Sequence, residues 1–494
     1  MGSIAFLLPN QLPAGVEGLL QHAFFAKDYD QAPVPTPITI TDNQLIASWT
    51  LSESRYFQIP WTVGTDRVLV TSTPTLRETG QPYRLMIELA RGKLNQVRTQ
   101  LAEWQSIGLR PPQHFEESLL ATTRLFCRAL HAPVSYESDS WAQRVIEESF
   151  ALGDLLVRAF IEQMFATRHY EEGLLNIRLG ARTTQPVRSE LAPSGTSLPA
   201  LQIAFRWRDL EPDEGHYDWT TTDAVVAAAK ANGQLVTGGP VIDLADGMLP
   251  DWISNWEGDL PTLAAFMCDY LETVINRYKG DIRRWVVCAG FNHADALGLN
   301  DDDRLRLAFR LFEAATQIDP ELDLVISVAQ PWGDYLVNED HTISPLTFSD
   351  DLIRAGLRVS AVELELRQGT RPRGSLPRDL LETVRIINLF GILGLQLELV
   401  LSCPSKTGFD AKASPTEAVW GPNGCLSATP EAQAEWATAV AALGLCTPLV
   451  HSVTWDHASD DAPHLTPFSG LLDENHKPKP VLRQLLALRS QHLR

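Results

Sequence analysis

The sequence predicts an α/β protein whose larger part, residues 174–494, is a (β/α)8 TIM barrel, preceded by a small β-rich unit over 1–80 and a helical segment over 81–173. Two observations predict this. After Gly173, eight apolar runs alternate with amphipathic stretches of helical period over about 320 residues, the rhythm of a barrel. No glycine-rich phosphate turn follows any of those runs, so an open dinucleotide-binding sheet has no support.

The elements follow in order. Ile38-Thr39-Ile40, Leu45 to Leu51, Tyr56 to Val63 and Val68-Leu69-Val70 are short alternating runs punctuated by Pro and Gly, as in a small sandwich. Trp49, Tyr56 and Trp61 read there either as core or as a sugar-stacking surface. From Tyr83 the period lengthens, with Leu85, Leu89, Leu94, Val97, Leu101 and Trp104 along one helix face. Helices are also predicted over His114–Leu130 and Trp141–His169, and the three must bury their stripes on each other, on the β unit or on the barrel. The barrel strands are expected near Leu175–Gly180, Leu201–Trp207, Leu235–Ile242, Arg284–Ala289, Leu324–Ala329, Val359–Leu366, Leu395–Ser402 and Val450–Trp455. Helical patterns lie between most of them (Thr221–Ala231, Leu260–Tyr278, Asp303–Gln317, Ser349–Ala355, Arg378–Leu393, Pro430–Leu445), and a closing helix spans Pro480–Leu493. The link from Arg182 to Pro199 is rich in Pro, Ser and Thr and reads as a loop.

Composition narrows the function. The 494 residues are 44% hydrophobic and 21% charged, an ordinary globular balance. Lys plus Arg number 41 against 61 Asp plus Glu, and a net charge of -20 repels phosphate backbones and anionic lipid, so neither nucleic acid nor membrane is expected as a partner. No run reaches the roughly 18 apolar residues of a membrane span. Met1 to Asn10 has no basic start, and Pro9 and Asn10 cut its apolar run, so a cytoplasmic protein is expected. The six cysteines show no ligand spacing, and neither do His293, His457 and His464 with the nearby Asp residues; no metal or cofactor is expected.

In a barrel the working residues sit at the C-terminal strand ends. The second strand runs into Arg206-Trp207-Arg208-Asp209-Leu210-Glu211-Pro212 and on through Gly215, Tyr217 and Trp219. Leu249-Pro250-Asp251-Trp252 follows the third, Arg277-Tyr278-Lys279-Gly280 with Trp285 leads into the fourth, and Thr454-Trp455 with Gly470 to Asn475 closes the eighth. In this order the motifs resemble the family 10 glycoside hydrolases, the retaining xylanases, from about Leu175 to Arg494. The resemblance implies a barrel that cleaves glycosidic bonds with two glutamates. The chain departs from it where the chemistry lies. Gly290 stands in the register of the family's acid/base, and the nucleophile position falls near Leu401.

A retaining pair needs carboxyls about 5 Å apart and an inverting pair about 6.5 to 9.5 Å. Other carboxylates occupy the same rim. Alternation puts Glu363 and Glu365 on one face of the sixth strand, about 6 to 7 Å apart, with the deeper Glu363 expected to have a raised pKa. Glu363 serves either as an acid or as the partner of a barrel arginine such as Arg178 or Arg206. Asp456, after the eighth strand, is the candidate second carboxyl, with Asp334 in reserve. Arg206, Asp243, Asn292, His293, Gln330, Trp332, Arg367, Trp455 and His457 are the candidate substrate contacts, the two tryptophans as sugar platforms. Asp246 is a further candidate, whereas Asp460, Asp461 and His464 read as loop residues.

Three readings stay open: a glycosidase with relocated carboxylates, a glycan-binding barrel without hydrolysis, and an assembly protein forming a homo-oligomer through its N-terminal region. Fold alone does not choose among them.

Overall fold

A computed structural model describes residues 2–27, 29–41, 43–49, 53–186, 198–294, 296–338, 340–371, 374–413 and 417–494. Most of the expected Pro/Ser/Thr-rich loop, and the end of the run to Leu51, lie outside the described residues.

Among the described residues, eight strands form the predicted barrel: Arg178–Thr183, Ala200–Ile203, Leu235–Gly238 with a short continuation Ile242–Asp243, Arg284–Ala289, Asp323–Ala329, Val359–Arg367, Gln396–Ser402 and Val450–Trp455. All pair in parallel, and the eighth meets the first from Ser452↔Arg178 to Trp455↔Ala181, which closes the cylinder. The third and fourth strands join in two places, Thr237↔Arg284 and Ile242↔Cys288. The second strand is shorter than expected, because from Trp207 to Leu210 the chain turns into a short helix.

Local chemistry sets the barrel helices. Asp259, Asn300, Asp379 and Thr429 each accept a backbone N–H at a helix start, and Pro261 and Pro430 occupy first turns where a missing N–H costs nothing. The apolar half of each strand faces these helices: Val362, Leu364 and Leu366 of the sixth and Leu397, Leu399 and Leu401 of the seventh are fully buried there. The inward halves carry a small apolar group, Val286, Val325 and Ala361, and above it a set of charges.

Two antiparallel-rich sheets make the N-terminal unit. Gly2–Leu7 pairs with Gln44–Trp49 and with Tyr83–Arg84, and Tyr56–Val63 pairs with Phe24–Ala26 and Arg67–Ser72. Phe6 and Phe57 stack at 4.4 Å and Phe25 meets Trp49 at 4.6 Å in the space between them. Trp49 and Trp61 are buried in this core, which decides for core over a sugar-stacking surface at these two positions. Tyr56, on the other face of its strand, is half-buried.

Three helices follow: α1 (Leu85–Ser106), α2 (Phe115–His131) and α3 (Tyr136–Glu172), the last opened by a Ser135–Ser138 capping box. They bridge two cores. Leu85, Leu89, Leu94, Val145 and Phe150 pack with the β unit, whereas Val97, Leu101, Trp104, Leu156 and Phe165 pack with the barrel. No helix among the described residues is long and apolar enough to cross a membrane.

Candidate functional site

Parallel pairing turns Glu363, Glu365 and Arg367 of the sixth strand into the barrel, where they meet Arg182 of the first strand and Asp456 after the eighth. Arg182 Nη2 donates to Glu363 Oε1 at 2.9 Å, and its Nη1 donates to Asp456 Oδ1 at 2.7 Å and to Glu365 Oε1 at 3.4 Å. Arg367 Nη2 donates to Glu365 Oε1 at 3.0 Å and its Nε to Asp456 Oδ2 at 2.8 Å. Ser327 and Gln202 complete the shell of Glu363, at 2.8 Å and 2.9 Å. All five charged side chains are buried.

The electrostatics follow from that burial. Desolvation drives the Glu363 carboxyl up from the ordinary range; Arg182 opposes this and Glu365 adds to it. For Asp456, burial pushes the same way, but Arg367, His457 and Arg182 together outweigh it and hold the carboxyl well below the usual value. His457 Nε2 lies 3.2 Å from Asp456 Oδ2, and burial lowers the imidazole pKa. Two guanidiniums thus face three carboxylates, and every carboxylate has a cationic partner.

Neither position that the resemblance suggests for the family's pair carries a carboxyl, and the second, near Leu401, shifts to its inward neighbours, because a catalytic group must face the barrel. Gly290 follows the fourth strand at φ 78°, where any side chain is strained. Leu401 points outward into the strand–helix core. Its inward neighbours are Val400, in register with Glu365, and Ser402, in register with Arg367.

The other candidates divide. Arg206, Asp243, His457, Asp461 and His464 line a cavity of about 60 Å³ directly above the ion-pair network. Arg206 is tied to Asp209 at 2.8 Å and to the Gly247 carbonyl at 3.1 Å. His464 holds Asp410 at 3.0 Å, and Asp460 accepts the Gly470 N–H and pairs with Lys479, loop roles as expected. Beside this cavity, His293, Asp246 and Gln330 line a recess of about 280 Å³. Gln330 and Tyr335 lead on into one of about 380 Å³, walled by His22 and Thr36 of the N-terminal unit.

Several expectations need correction. Asp334 does not converge on the other carboxylates; Arg378 grips it through two nitrogens at 2.6 Å and 2.9 Å, and it accepts the Leu376 N–H. Asn292 does not face the mouth, because its amide clamps both the N–H and the carbonyl of Ala329. Trp455 is 1% exposed and donates to the Ser469 carbonyl, and Trp332 is 3% exposed beneath the Arg378 guanidinium, so neither presents a ring to a sugar. Glu363 is held by Arg182 rather than by Arg178 or Arg206. Arg182 is the residue that sequence reasoning missed. The first strand was expected to end at Gly180, but it runs on to Thr183, so Arg178, Gly180 and Arg182 share one inward face.

The motifs shared with xylanases build the scaffold around this site. Trp207 stacks on Tyr270 at 4.5 Å and donates to Glu211 at 2.7 Å; Glu211 also accepts the Gly215 N–H, and its carbonyl accepts from Trp252. Arg277 and Tyr278 both hold Asp223.

Fold and site together define a closed parallel (β/α)8 barrel with a polar, charge-filled mouth. Residues 200–326 match the profile of Glycosyl hydrolase family 10. Endo-1,4-beta-xylanase 3 of Hypocrea jecorina is 29% identical over 161 residues, 32% of this chain and 43% of that protein. Endo-1,4-beta-xylanase B of Humicola insolens is 26% identical over 211 residues, 42% of this chain and 55% of that protein. The match therefore spans less than two thirds of either relative. Native xylanase 10B from Thermotoga maritima aligns in structure with a TM-score of 0.47 at 16% identity, over 67% of this chain and 97% of that one.

Proposed function

We propose that this protein binds saccharide at the mouth of a family 10-type barrel and does not hydrolyse it by the retaining mechanism. One observation carries the reading: Glu363, Glu365 and Asp456 are each bound by a guanidinium, while Gly290 stands where the resemblance puts the family's acid/base and the inward positions at the end of the seventh strand, Val400 and Ser402, carry no carboxyl. All three carboxyls are buried beneath the mouth with guanidinium contacts on their oxygens, which leaves none of them free at the rim to reach a leaving-group oxygen or an anomeric carbon. The adjoining recesses beside His293 and Gln330 supply hydrogen-bonding groups in the size range of a ligand site. Soluble xylo- and cello-oligosaccharides are the expected ligands, from the xylanase likeness. Calorimetry against such a panel should register binding, and chromatography should find no cleaved product. Hydrolysis at a substantial rate overturns the reading.

Hydrolysis by relocated carboxylates is the second reading, favoured by the convergence of Glu365 and Asp456 on one nitrogen, Arg182 Nη1. It requires that Glu365→Gln and Asp456→Asn each abolish turnover in a folded protein, and activity surviving both refutes it.

A further inference from the structure

Away from the barrel mouth, a cleft of about 560 Å³ lies between the N-terminal sheet, α1 and the barrel helix Leu380–Gly391. Its origin is legible in three periodicities. Along Tyr56–Val63, Phe57, Ile59 and Trp61 enter the sandwich core, so Tyr56 and Gln58 point the other way, and Ser72 joins them by its register with Gln58. On α1, Gln96, Thr99 and Gln100 form a stripe opposite the apolar face. On the barrel helix, Arg385 and Asn388 lie one turn apart.

The walls are fixed to one another. The Val70 N–H donates to the Pro377 carbonyl at 2.9 Å, tying the sheet edge to the loop before the barrel helix. Lys93 of α1 reaches Asp379 at 2.5 Å in a buried ion pair, and Gln96 donates to Glu382. Gly92 brings α1 onto the Ser72 backbone, where a side chain has no room.

Most charges in the cleft are matched within the protein, and Glu103 accepts from the neutral Gln100 amide, adding negative rather than positive charge to the lining. Lys93 is taken up by Asp379 and Gln96, and Glu382 by Arg385 at 2.8 Å. The remaining polar lining is mainly neutral amide and hydroxyl, with a tyrosine ring and the apolar side chains of Val70, Pro74 and Leu381 beside it. Neutral donors and acceptors next to small apolar surfaces suit a ligand that carries many hydroxyls on a carbon frame, and an anion finds no unmatched cation to pay for its desolvation.

We propose that this cleft is a second binding site, for a neutral oligosaccharide, distinct from the barrel mouth. It is tested on the full chain by hydrogen-exchange mass spectrometry with xylohexaose, cellohexaose and maltohexaose, with glucose 6-phosphate as the anionic comparison. The expected result is that at least one hexasaccharide protects peptides spanning 92–103 and 381–388. Asn388→Trp, a substitution at an exposed position that fills the cleft, should weaken that protection about tenfold in apparent affinity. Gln330→Ala, at the mouth, should leave it unchanged. No protection of these peptides by any hexasaccharide, or equal protection in Asn388→Trp, overturns the proposal, and stronger protection by the phosphate overturns the neutral ligand. Protection of peptides around 290–294 and 330–338 reports the mouth separately, so the two sites fail or succeed independently.

Discussion

Replacing Arg182 with Met leaves a side chain of similar reach but removes the cation that three carboxylates share. Among the described residues Glu363 keeps Ser327 and Gln202, and Asp456 and Glu365 both keep Arg367. Removing one partner of a buried ion pair costs about 3–5 kcal/mol, because the charge left behind has no water to replace it. That range applies to Arg182→Met at neutral pH. The loss should depend on pH. Glu363, already raised by burial, rises further once Arg182 is gone, and a carboxyl with a raised folded-state pKa stabilises the fold below its unfolded value and loses that contribution as pH rises through the folded one. The penalty should therefore shrink toward pH 5 and grow toward pH 8. Guanidinium denaturation followed by tryptophan fluorescence and circular dichroism measures it, and Arg182→Met combined with Glu363→Gln should recover about 1–2 kcal/mol of the loss. A single variant within about 0.5 kcal/mol of the parent, or a penalty flat with pH, refutes the view that these charges hold the barrel together.

Other outcomes follow from single positions. Asp154 is pushed to about 6 by burial and by Asp379, against Arg67, Lys93 and Arg158. Its ionised form therefore costs stability above that pH, and Asp154→Asn should gain about 1–2 kcal/mol at pH 7 and nothing near pH 4, read by thermal unfolding across pH. Gly290→Glu restores the family's residue type at φ 78°, so it should cost about 1–2 kcal/mol and produce no turnover on aryl xylosides; a stable, active variant would contradict the argument. Glu211→Ala strips the acceptor from Trp207 and Gly215 and should cost about 1–3 kcal/mol of stability, read as a lowered denaturation midpoint.

The sequence by itself determined the architecture. Eight apolar runs with helical stretches between them place the barrel, because periodicity is a local property: strands such as Arg284–Ala289 and Val450–Trp455 and the helix Leu260–Tyr278 form where the pattern predicts them. It also placed Gly290 where the resemblance expects a glutamate, since residue identity in a motif needs no coordinates, whereas the inward positions of the seventh strand, Val400 and Ser402 rather than Leu401, needed the structure. Alternation along the sixth strand was enough to turn Glu363 and Glu365 inward. The partners of these carboxylates were not legible. Arg182 lies 181 residues from Glu363 in the chain and 274 from Asp456, and its side of the strand depends on where that strand ends. Trp455 and Trp332 have the composition of sugar platforms, but only the packing of the loops over them decided that they are buried. The cleft beside Gln58, Gln96 and Asn388 belongs to no single segment, because it exists only where sheet, α1 and barrel helix meet. Propensity and pattern act over a few residues, whereas charge pairing and cavity shape are set by side chains that only the closed barrel brings within 3 Å of one another.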